Sequence, residues 1–461
     1  MLARKYDKNN RNNKSRRILI IICIVIAVII VDTTIVKVSD LVRWRFIHDW
    51  KTILLFGGML ATYAVCYYLI LQFIKRKEEE GLGFATGKKI PSAAIFRKVI
   101  SIIQYIITAI IILVILQMVF YSQYSNAAIT AVMIISYATA TVMMGLLAYL
   151  FFRWFNQNRR SGGGLTVFLY GLSSAALLLN TMIGIALLYT LSIHKGLITG
   201  PRSATLTMNV SGPIDSTLND LYIATSILGF ILMWSATAIL LRSHSRNLGK
   251  PRYWFSVSIP LVYFVSQFLT LFLDQLAPIL ALYPVLFTFL FIFSKPLGGI
   301  LFGAAFYSIA RSGTTTTTTA YHANIVRDYM ILAAYGVVLF FVSSQNTIAQ
   351  ATYPPFGVIA ASFVGLSAYM MFLGLYSSAI SVSQDAKLRQ IIRRAITQEA
   401  KFLESIGRAQ MEQELQKKVL TIAKKNSDSM IEETGVQPSL SENDIKLYLE
   451  EVMKEIKPQN A

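Results

Sequence analysis

The sequence predicts an all-α protein, a polytopic transmembrane helix bundle of about ten spans with a cytoplasmic helical tail. Hydrophobic residues make up 54% of the 461 residues and charged residues only 15%, which is unlike the composition of a soluble protein. Apolar runs of the length that crosses a hydrocarbon layer, about 20 residues, recur along residues 18–382. The formal charge of +19 belongs to that part, because acidic and basic residues are equal in number over 383–461. We therefore divide the chain into a basic leader at 1–17, a bundle at 18–382 and a tail at 383–461.

The apolar runs predict ten spans. They lie at 18–36, 52–74, 98–120, 127–152, 165–191, 221–241, 253–273, 276–293, 329–346 and 355–382. The first run, which follows the basic leader, is also typical of a signal peptide. We expect it to remain as an uncleaved anchor, because Asp32 and two threonines follow its core where a small-residue cleavage site would be needed.

The distribution of Lys and Arg orients the predicted spans. With the N-terminus inside, the inner segments hold roughly four times as many of these residues as the outer segments, which satisfies the positive-inside rule. The sequence thus predicts a plasma-membrane protein with both termini in the cytoplasm. Basic residues in short loops between spans fit this topology better than nucleic-acid binding, and we expect no nucleic-acid partner.

Residues 276–310 decide the number of crossings. The stretch 297–310 would be about 21 Å long as a helix, short of the roughly 30 Å hydrocarbon core. We predict that it is re-entrant, so that it enters the membrane and returns on the same side. Nearby prolines and glycines make the region typical of broken transporter helices. The alternatives are that Gly299 and Gly303 let two helices approach closely, or that an eleventh crossing places the tail outside.

A small set of polar and glycine residues forms the predicted substrate path. Asp274 and, two helical turns earlier, Gln267 lie near the outer end of one span, and Gly298 and Gly299 lie in the predicted break. Intramembrane carboxylates usually have a function because burying them is costly. The alternative is that Asp274, like Asp32, is a boundary residue in contact with headgroup water.

No catalytic constellation is found in the sequence. The four histidines lie on separate segments, without a second His or Cys at ligand spacing. No nucleophile with a nearby base and no pair of carboxylates can be assembled. The sequence predicts neither an enzyme nor a bound metal or cofactor.

The longest outer loop contains a short predicted strand at 204–211, where apolar and polar residues alternate. Asn209 begins an Asn-Val-Ser sequon within it. Asn209 is a candidate glycosylation site in a host that modifies this face of the membrane. The alternative is that the triplet occurs by chance.

The tail pattern predicts amphipathic helices. From Asp385 apolar residues recur at helical spacing and are flanked by Lys and Arg. This helix would lie on an anionic membrane surface or pack beneath the bundle, and the sequence leaves both open. A second stripe after Gly407 faces nearly the opposite direction, so we predict a kink or a restart there. The second stripe predicts a protein partner or self-association through Met411, Leu415, Val419 and Ile422.

A third amphipathic segment follows near the end of the sequence. Ser439 and Glu442 have the spacing of a capping box. The apolar residues that come next, and that need a partner to be buried, are Ile445, Leu449, Val452, Met453 and Ile456.

The junction between membrane and tail contains GLYSSAISVSQDAKLR at 374–389, with EETGVQ at 432–437 and YLEEV at 448–452 further on. These stretches resemble the corresponding junction of uncharacterised archaeal multi-pass membrane proteins. The resemblance covers roughly the last fifth of the chain. It implies a multi-pass membrane fold and no particular activity.

From these features we expect a non-enzymatic sensor or scaffold. Its bundle would meet a ligand or partner and act on the cytoplasmic tail through residues 355–382, with the lipid bilayer and a protein as its partners. The alternative is a secondary transporter that uses the broken helical region 276–310.

Overall fold

Helices account for nearly all of the chain that the structure describes. In the computed structural model the described residues are 19–36, 50–82, 91–157, 164–194, 198–199, 213–244, 249–271, 284–312, 320–344, 354–394, 398–434 and 444. Nine helices among them are apolar and at least 18 residues long, enough to cross a membrane. The predicted all-α membrane bundle is thereby confirmed.

The first six long helices are α1 (Leu19–Val36), α2 (Trp50–Leu82), α3 (Pro91–Tyr121), α4 (Asn126–Gln157), α5 (Gly164–His194) and α6 (Pro213–Leu240). Two short helices follow, α7 (Lys250–Ser258) and α8 (Val262–Leu271). The remaining helices are α9 (Pro284–Ser312), α10 (Ala320–Ser343), α11 (Val358–Gln384), α12 (Ala386–Arg394) and α13 (Gln398–Thr434). Turns of 3₁₀ helix cover Leu241–His244 and Ile259–Leu261, and two short strands, β1 (Tyr124–Ser125) and β2 (Ile198–Thr199), pair antiparallel.

In the described chain the nine membrane-length helices are α1 to α6 and α9 to α11. The predicted span at 253–273 instead corresponds to α7 and α8, which the 3₁₀ turn Ile259–Leu261 separates. Pro260 explains the interruption because it has no N–H to continue the helical hydrogen bonds. The predicted strand at 204–211, with Asn209, lies outside the described residues, as does the leader at 1–17.

One helix, α9, replaces two predicted segments. Pro284–Ser312 is continuous over 29 residues, about 43 Å by the helical rise per residue. The predicted break between 293 and 297 is therefore wrong, and so is the re-entrant segment 297–310. Pro296 lies inside the helix, as happens in membrane helices where neighbouring groups satisfy the freed backbone.

The last span, α11, is the centre of the bundle. Every residue of its most apolar stretch is buried, whereas in the other spans 33% to 67% of these residues are buried. It packs mainly against α10 and α4 and also touches α2, α3 and α13. Its contact with α10 depends on glycine, because a Cβ at Gly336 would lie 2.6 Å from Met371 N, and one at Gly374 2.6 Å from Ala333 N.

A serine of α4 enters the backbone of α11. Ser136 Oγ donates to Ala361 O at 2.7 Å and accepts from Gly365 N at 3.2 Å. It bridges two groups that stand in the i and i−4 relation of a helical hydrogen bond. A Cβ at Gly365 would approach Ser136 O and Thr139 Cβ to 3.0 Å, so the absence of a side chain permits this contact.

Asp32 of α1 binds the first turn of α11. Its side chain is completely buried, and its two oxygens accept from Gly357 N and Ala360 N, each at 2.8 Å. Gly357 has a φ of 91°, a left-handed conformation that glycine adopts without strain. The carboxyl group is thus an N-cap supplied by another helix. The expectation that Asp32 contacts headgroup water is wrong.

The first half of α13 packs against the other end of the bundle. The rings of Phe402 and Tyr170 lie 5.7 Å apart between centroids, and Trp154 Nε1 donates to Gln410 Oε1 at 3.2 Å. Of the two alternatives for this part of the tail, packing beneath the bundle is the one that the structure shows. We name this end of the bundle the tail end, and the end that holds Asp32 the cap end.

Gly407 lies within the helix and does not interrupt it. The predicted kink or restart at this position is wrong, since α13 is one helix from Gln398 to Thr434. Gly407 is buried, and a Cβ there would clash with the side chain of Val382 in α11. The glycine therefore serves close packing between α11 and α13.

Removing the carboxyl group of Asp32 is expected to destabilise the bundle. In Asp32→Ala two buried amides lose their acceptor, which costs about 3 kcal/mol or more. Asp32→Asn keeps one side-chain oxygen, so about half of this loss is expected. Thermal unfolding of the purified protein in detergent measures both variants. Thr33→Ala is the control, because Thr33 Oγ1 bonds only within its own helix, to Ile29 O and Ile30 O. Equal stability of wild type and Asp32→Ala would contradict the cap.

Candidate functional site

Buried hydroxyl and amide groups connect five helices in the cap-end half of the bundle. They come from α4, α5, α6, α8 and α9, and each residue exposes 4% or less of its surface. Burying such groups is costly unless they are hydrogen-bonded, and inside a membrane they are often functional. We define the polar layer by these residues: Tyr137, Asn180, Tyr222, Ser226, Tyr263, Ser266 and Ser294.

The first part of the polar layer joins α4, α5 and α6. Asn180 Nδ2 donates to Tyr222 O at 2.7 Å and to Thr225 Oγ1 at 3.1 Å. Tyr137 and Tyr222 both lie against Gly184, where a Cβ would approach each ring to 3.3 Å. The small residue allows the two tyrosine rings to enter the space between helices.

The second part of the polar layer joins α6, α8 and α9. The hydroxyls of Ser226 and Tyr263 are hydrogen-bonded at 2.9 Å. Ser266 Oγ lies 2.7 Å from Tyr263 O and 3.2 Å from Ser294 Oγ. Hydroxyl groups thus link α6 to α8 and α8 to α9.

Next to Ser294, Lys295 is a buried cation within α9. It exposes 8% of its surface, and its Nζ donates to Ser344 O at 2.8 Å, just past the end of α10. Carbonyl groups at a helix C-terminus carry partial negative charge, which suits an ammonium group. The Ser344 hydroxyl is also buried and has no hydrogen-bond partner among the residues that the structure describes.

Lys295 and Asp32 contact the two ends of the connection between α10 and α11. Lys295 binds the C-terminal end of α10 at Ser344, and Asp32 binds the N-terminal end of α11 at Gly357. An ammonium group suits the negative end of a helix and a carboxyl group suits the positive end. Two buried side chains from distant parts of the chain therefore contact adjacent helix ends in the cap end.

The structure brings one residue of the predicted substrate path to the polar layer. Gln267 Nε2 lies 3.5 Å from Ser266 Oγ. Asp274 lies outside the described residues. The association of these two residues in a path thus stays a prediction.

The two glycines of the predicted path lie at helix contacts. A Cβ at Gly298 would clash with the ring of Phe230 in α6, and one at Gly299 would lie 2.8 Å from Phe341 Cβ in α10. This geometry matches the alternative interpretation, in which small residues let helices approach closely. Whether the glycines also line a path stays a prediction.

Sequence reasoning missed Lys295, which it assigned to an inner loop. The signal was present, because Lys295 is the only charged residue between Pro284 and Ala310. A lone charge in an apolar run of membrane length is a functional-site hypothesis in its own right. Asp32 was interpreted as a boundary residue, and its structural importance was missed, because it stands near the end of its span.

Potential metal ligands do not gather in the described part of the chain. No three His, Cys, Asp or Glu side chains come together there, and Cys23 and Cys66 are free thiols. The polar layer and Lys295 instead offer hydroxyl, amide and ammonium groups. Such groups bind a solute or an ion through hydrogen bonds and charge.

The second candidate site is the exposed half of α13. Leu415 and Ile422 expose 48% and 60% of their surface, while Met411 and Val419 are half-buried. We name these four predicted partner-binding residues the tail stripe. Beside them are four exposed lysines, Lys417, Lys418, Lys424 and Lys425. An apolar stripe with a positive border thus extends from the bundle.

Replacing Lys295 with methionine is expected to stabilise the protein. Taking an ammonium group out of water costs several kcal/mol, and one hydrogen bond to a charged group returns only about 1.5–3 kcal/mol. We expect a gain of roughly 1–3 kcal/mol, measured as a higher midpoint of thermal unfolding. The control is Lys77→Met, which removes a partly exposed lysine that pairs with Asp328 at 2.8 Å and should lower stability. A lower midpoint in Lys295→Met would contradict this prediction, because the bond to Ser344 O would then outweigh the cost of burying the ammonium group.

Comparison of the chain with models of protein families, with curated proteins and with solved structures gives no match. The resemblance of the tail junction to archaeal multi-pass membrane proteins therefore stays a prediction. What the chain does is accordingly inferred from the polar layer, the buried charges and the tail stripe.

Proposed function

We propose that the protein is a non-enzymatic sensor or scaffold of the plasma membrane, in which α13 presents the tail stripe to a cytoplasmic protein. The observation that supports this role is the continuity of α13. The helix is buried against the bundle as far as Gln413 and exposes Leu415 and Ile422 beyond that point. A partner bound to the exposed half is therefore connected to the bundle through a single helix.

The charge pattern supports a cytoplasmic position for the tail. Lys295 lies within α9 and no longer counts as a loop residue. The remaining Lys and Arg residues still favour the connections on the tail side of the bundle. This distribution is the one that the positive-inside rule associates with the cytoplasm.

The central helix, α11, supplies a route between the two ends of the bundle. Asp32 binds its N-terminal end, and Val382 near its C-terminal end packs against Gly407 of α13. A ligand that shifts α11 would therefore shift α13 as well, since packed helices slide as units. A sensor uses this coupling, whereas a scaffold needs only the anchored tail stripe.

Glutamate on the tail stripe is expected to break partner binding. Leu415→Glu combined with Ile422→Glu removes two apolar contacts worth about 3–6 kcal/mol, which is roughly a hundredfold or more in affinity. The experiment crosslinks the tagged full-length protein in its native membranes and quantifies the attached proteins by mass spectrometry.

The matched control for this experiment is Thr421→Glu, which adds a charge to an exposed position of the same helix outside the tail stripe. A partner is a protein that the double variant loses and the control keeps. If no protein follows this pattern, the proposed role of the tail stripe is wrong.

A secondary transporter is the second candidate, and the polar layer favours it. The broken helix that first suggested transport is replaced by the continuous α9. Lys295 and Ser294 nevertheless lie inside that helix, and Ser294 contacts Ser266 of α8. Buried ionisable and hydroxyl groups are typical of ion and solute paths.

Transport would not require the exposed half of α13. A chain truncated after Glu414 keeps the part of α13 that packs on the bundle, so it should fold and retain transport. The Lys295→Met variant of the full chain should lose most of its transport activity. Currents from proteoliposomes on a solid support, challenged with amino acids, organic acids and inorganic ions, provide the measurement. Absence of any current from correctly folded wild-type protein would remove this candidate.

A further inference from the structure

We propose that the protein binds one anionic phospholipid from the membrane leaflet at the tail end. An acyl chain of this lipid lies in a crevice between α1, α2, α10 and α11, and its phosphate group lies beside Lys77 and Arg327. This site goes beyond contact with the bilayer as a whole, because it assigns one class of lipid to one place in the fold.

The crevice is apolar and lies where four helices meet. Its floor is formed by one buried side chain from each helix, and each of these exposes 4% or less of its surface: Ile22, Ile70, Leu332 and Met370. The empty volume, including the part that is open to the surroundings, is about 250 Å³. Every lining side chain is apolar apart from the hydroxyl of Tyr335. Such a surface suits a hydrocarbon chain better than a solute that needs hydrogen bonds.

Two of the helices around the crevice lie at the periphery of the bundle. Only 33% and 39% of the most apolar stretches of α1 and α2 are buried, against 100% in α11. Ile20 and Tyr68, which are neighbours of lining residues, each expose more than half of their surface. Apolar side chains exposed within a membrane span are in contact with lipid. The crevice is therefore next to the acyl chains of the bilayer.

Charged residues lie one helical turn beyond the crevice. Lys77 follows the lining residue Phe73 by four positions in α2, and Asp328 precedes Leu332 by four positions in α10, about 6 Å along each helix. Lys77 Nζ lies 2.8 Å from Asp328 Oδ2, and Arg327 Nε lies 3.5 Å from Asp328 Oδ1. Lys77 Nζ is also 5.8 Å from the centre of the Phe73 ring. One aromatic side chain thus borders both the crevice and the charged group.

The charged group has an excess of one positive charge. Lys77 and Arg327 share the single carboxylate of Asp328, and all three side chains are partly exposed. Lys75 and Arg76, which precede Lys77 in α2, are exposed as well. A phosphate diester carries one negative charge and accepts hydrogen bonds from ammonium and guanidinium groups. It would neutralise the group while the ion pair between Lys77 and Asp328 stays in place.

These charges lie where lipid headgroups are expected. The membrane-length stretch of α2 ends at Lys77, and that of α10 begins at Asn324, three residues before Arg327. The glutamates at 78–80 come after Lys77 and continue α2 away from the membrane. Basic residues at this level attract anionic headgroups. The order of charges and then crevice along both helices matches the order of phosphate and acyl chain in a phospholipid.

Other ligands use only part of this place. A neutral apolar molecule would fill the crevice but would not interact with the excess positive charge. A free phosphate ion would bind the charges and leave the crevice to other molecules. Phosphatidylcholine brings a cation of its own to a group that is already positive. An anionic phospholipid uses both the crevice and the charges.

A chain in the crevice would contact the central helix. Met370, on the floor, belongs to α11, and Val382 of the same helix packs against α13. Bound lipid would thereby fill the space between the peripheral helices α1 and α2 and the helix from which we infer coupling to the tail. Lipid binding is measured without a protein partner, so its failure and the failure of the proposed function are separate results.

The first test is native mass spectrometry of the full-length protein in detergent. The probes are palmitoyl-oleoyl phosphatidylglycerol and the phosphatidylcholine that carries the same two chains. We expect one phosphatidylglycerol to bind about fivefold or more tightly than phosphatidylcholine, since each basic residue near a phosphate contributes about this factor. Equal binding of the two lipids would overturn the headgroup site.

Replacing Arg327 tests the excess charge. Arg327→Gln makes the group neutral and keeps the ion pair between Lys77 and Asp328, so we expect phosphatidylglycerol to bind about fivefold more weakly. The control is Arg153→Gln, which removes an exposed arginine of α4 and should bind like the wild type. Unchanged binding in Arg327→Gln would show that the phosphate lies elsewhere.

Filling the crevice tests the position of the acyl chain. Leu69 is a half-buried lining residue, and Leu69→Trp places a larger side chain at the edge of the crevice. We expect this variant to lose most of its phosphatidylglycerol binding. Leu54→Trp makes the same change at an exposed leucine of the same helix and should bind normally. Equal binding by these two variants would contradict the crevice.

The wild-type chain allows an independent measurement that does not depend on how a variant folds. Phosphatidylglycerol with a diazirine in the middle of one acyl chain is irradiated with the protein in liposomes, and the labelled peptides are identified by mass spectrometry. We expect the labels to concentrate on the lining residues of α1, α2 and α10, and excess unlabelled phosphatidylglycerol to remove them. Labels spread evenly over the peripheral helices would overturn the site.

Discussion

Asp32 joins the first span of the bundle to the last. An α-helix begins with amide groups that have no acceptor within the helix, and at the start of α11 the residues around these groups are buried. Where water is excluded, an unsatisfied amide is costly. The carboxyl group of α1 supplies the missing acceptors to Gly357 and Ala360, more than 300 residues away in the sequence. The position of α11, and of the helices packed on it, depends on this contact.

The helices α4, α10 and α13 pack closely against α11. Gly336 and Gly374 bring its backbone against α10, and Ser136 of α4 bonds directly to its carbonyl and amide groups. Gly407 brings α13 against its last turns. Contacts of this kind leave no space for independent adjustment, because protein interiors are close-packed. Close packing of α11 against its neighbours is the physical basis of the proposed coupling between the cap end and α13.

The membrane class and most spans could be predicted because the thickness of a bilayer sets the length of its apolar runs. The predicted break in α9 was wrong. Proline and glycine interrupt isolated helices, but within the bundle Phe230 and Phe341 pack against α9 where Gly298 and Gly299 lack side chains. Gly407 likewise suggested a kink in α13, whereas it allows Val382 to pack against a continuous helix. The partners of Asp32 and Lys295 could not be predicted, because they lie far away in the chain and no local pattern identifies them.

The two halves of α13 have different surroundings, because only the first half packs against the bundle. Up to Gln413 the helix is fixed by contacts such as that between Gln413 and Gln157. Beyond that point it continues as a helix because an anchored first half removes the cost of nucleation. Continuation alone does not bury Leu415 and Ile422, and apolar side chains at helical spacing in water favour association. The physical need to cover this stripe supports the proposed scaffold role, and within the described part of the tail it makes the exposed half of α13 the surface most suited to binding.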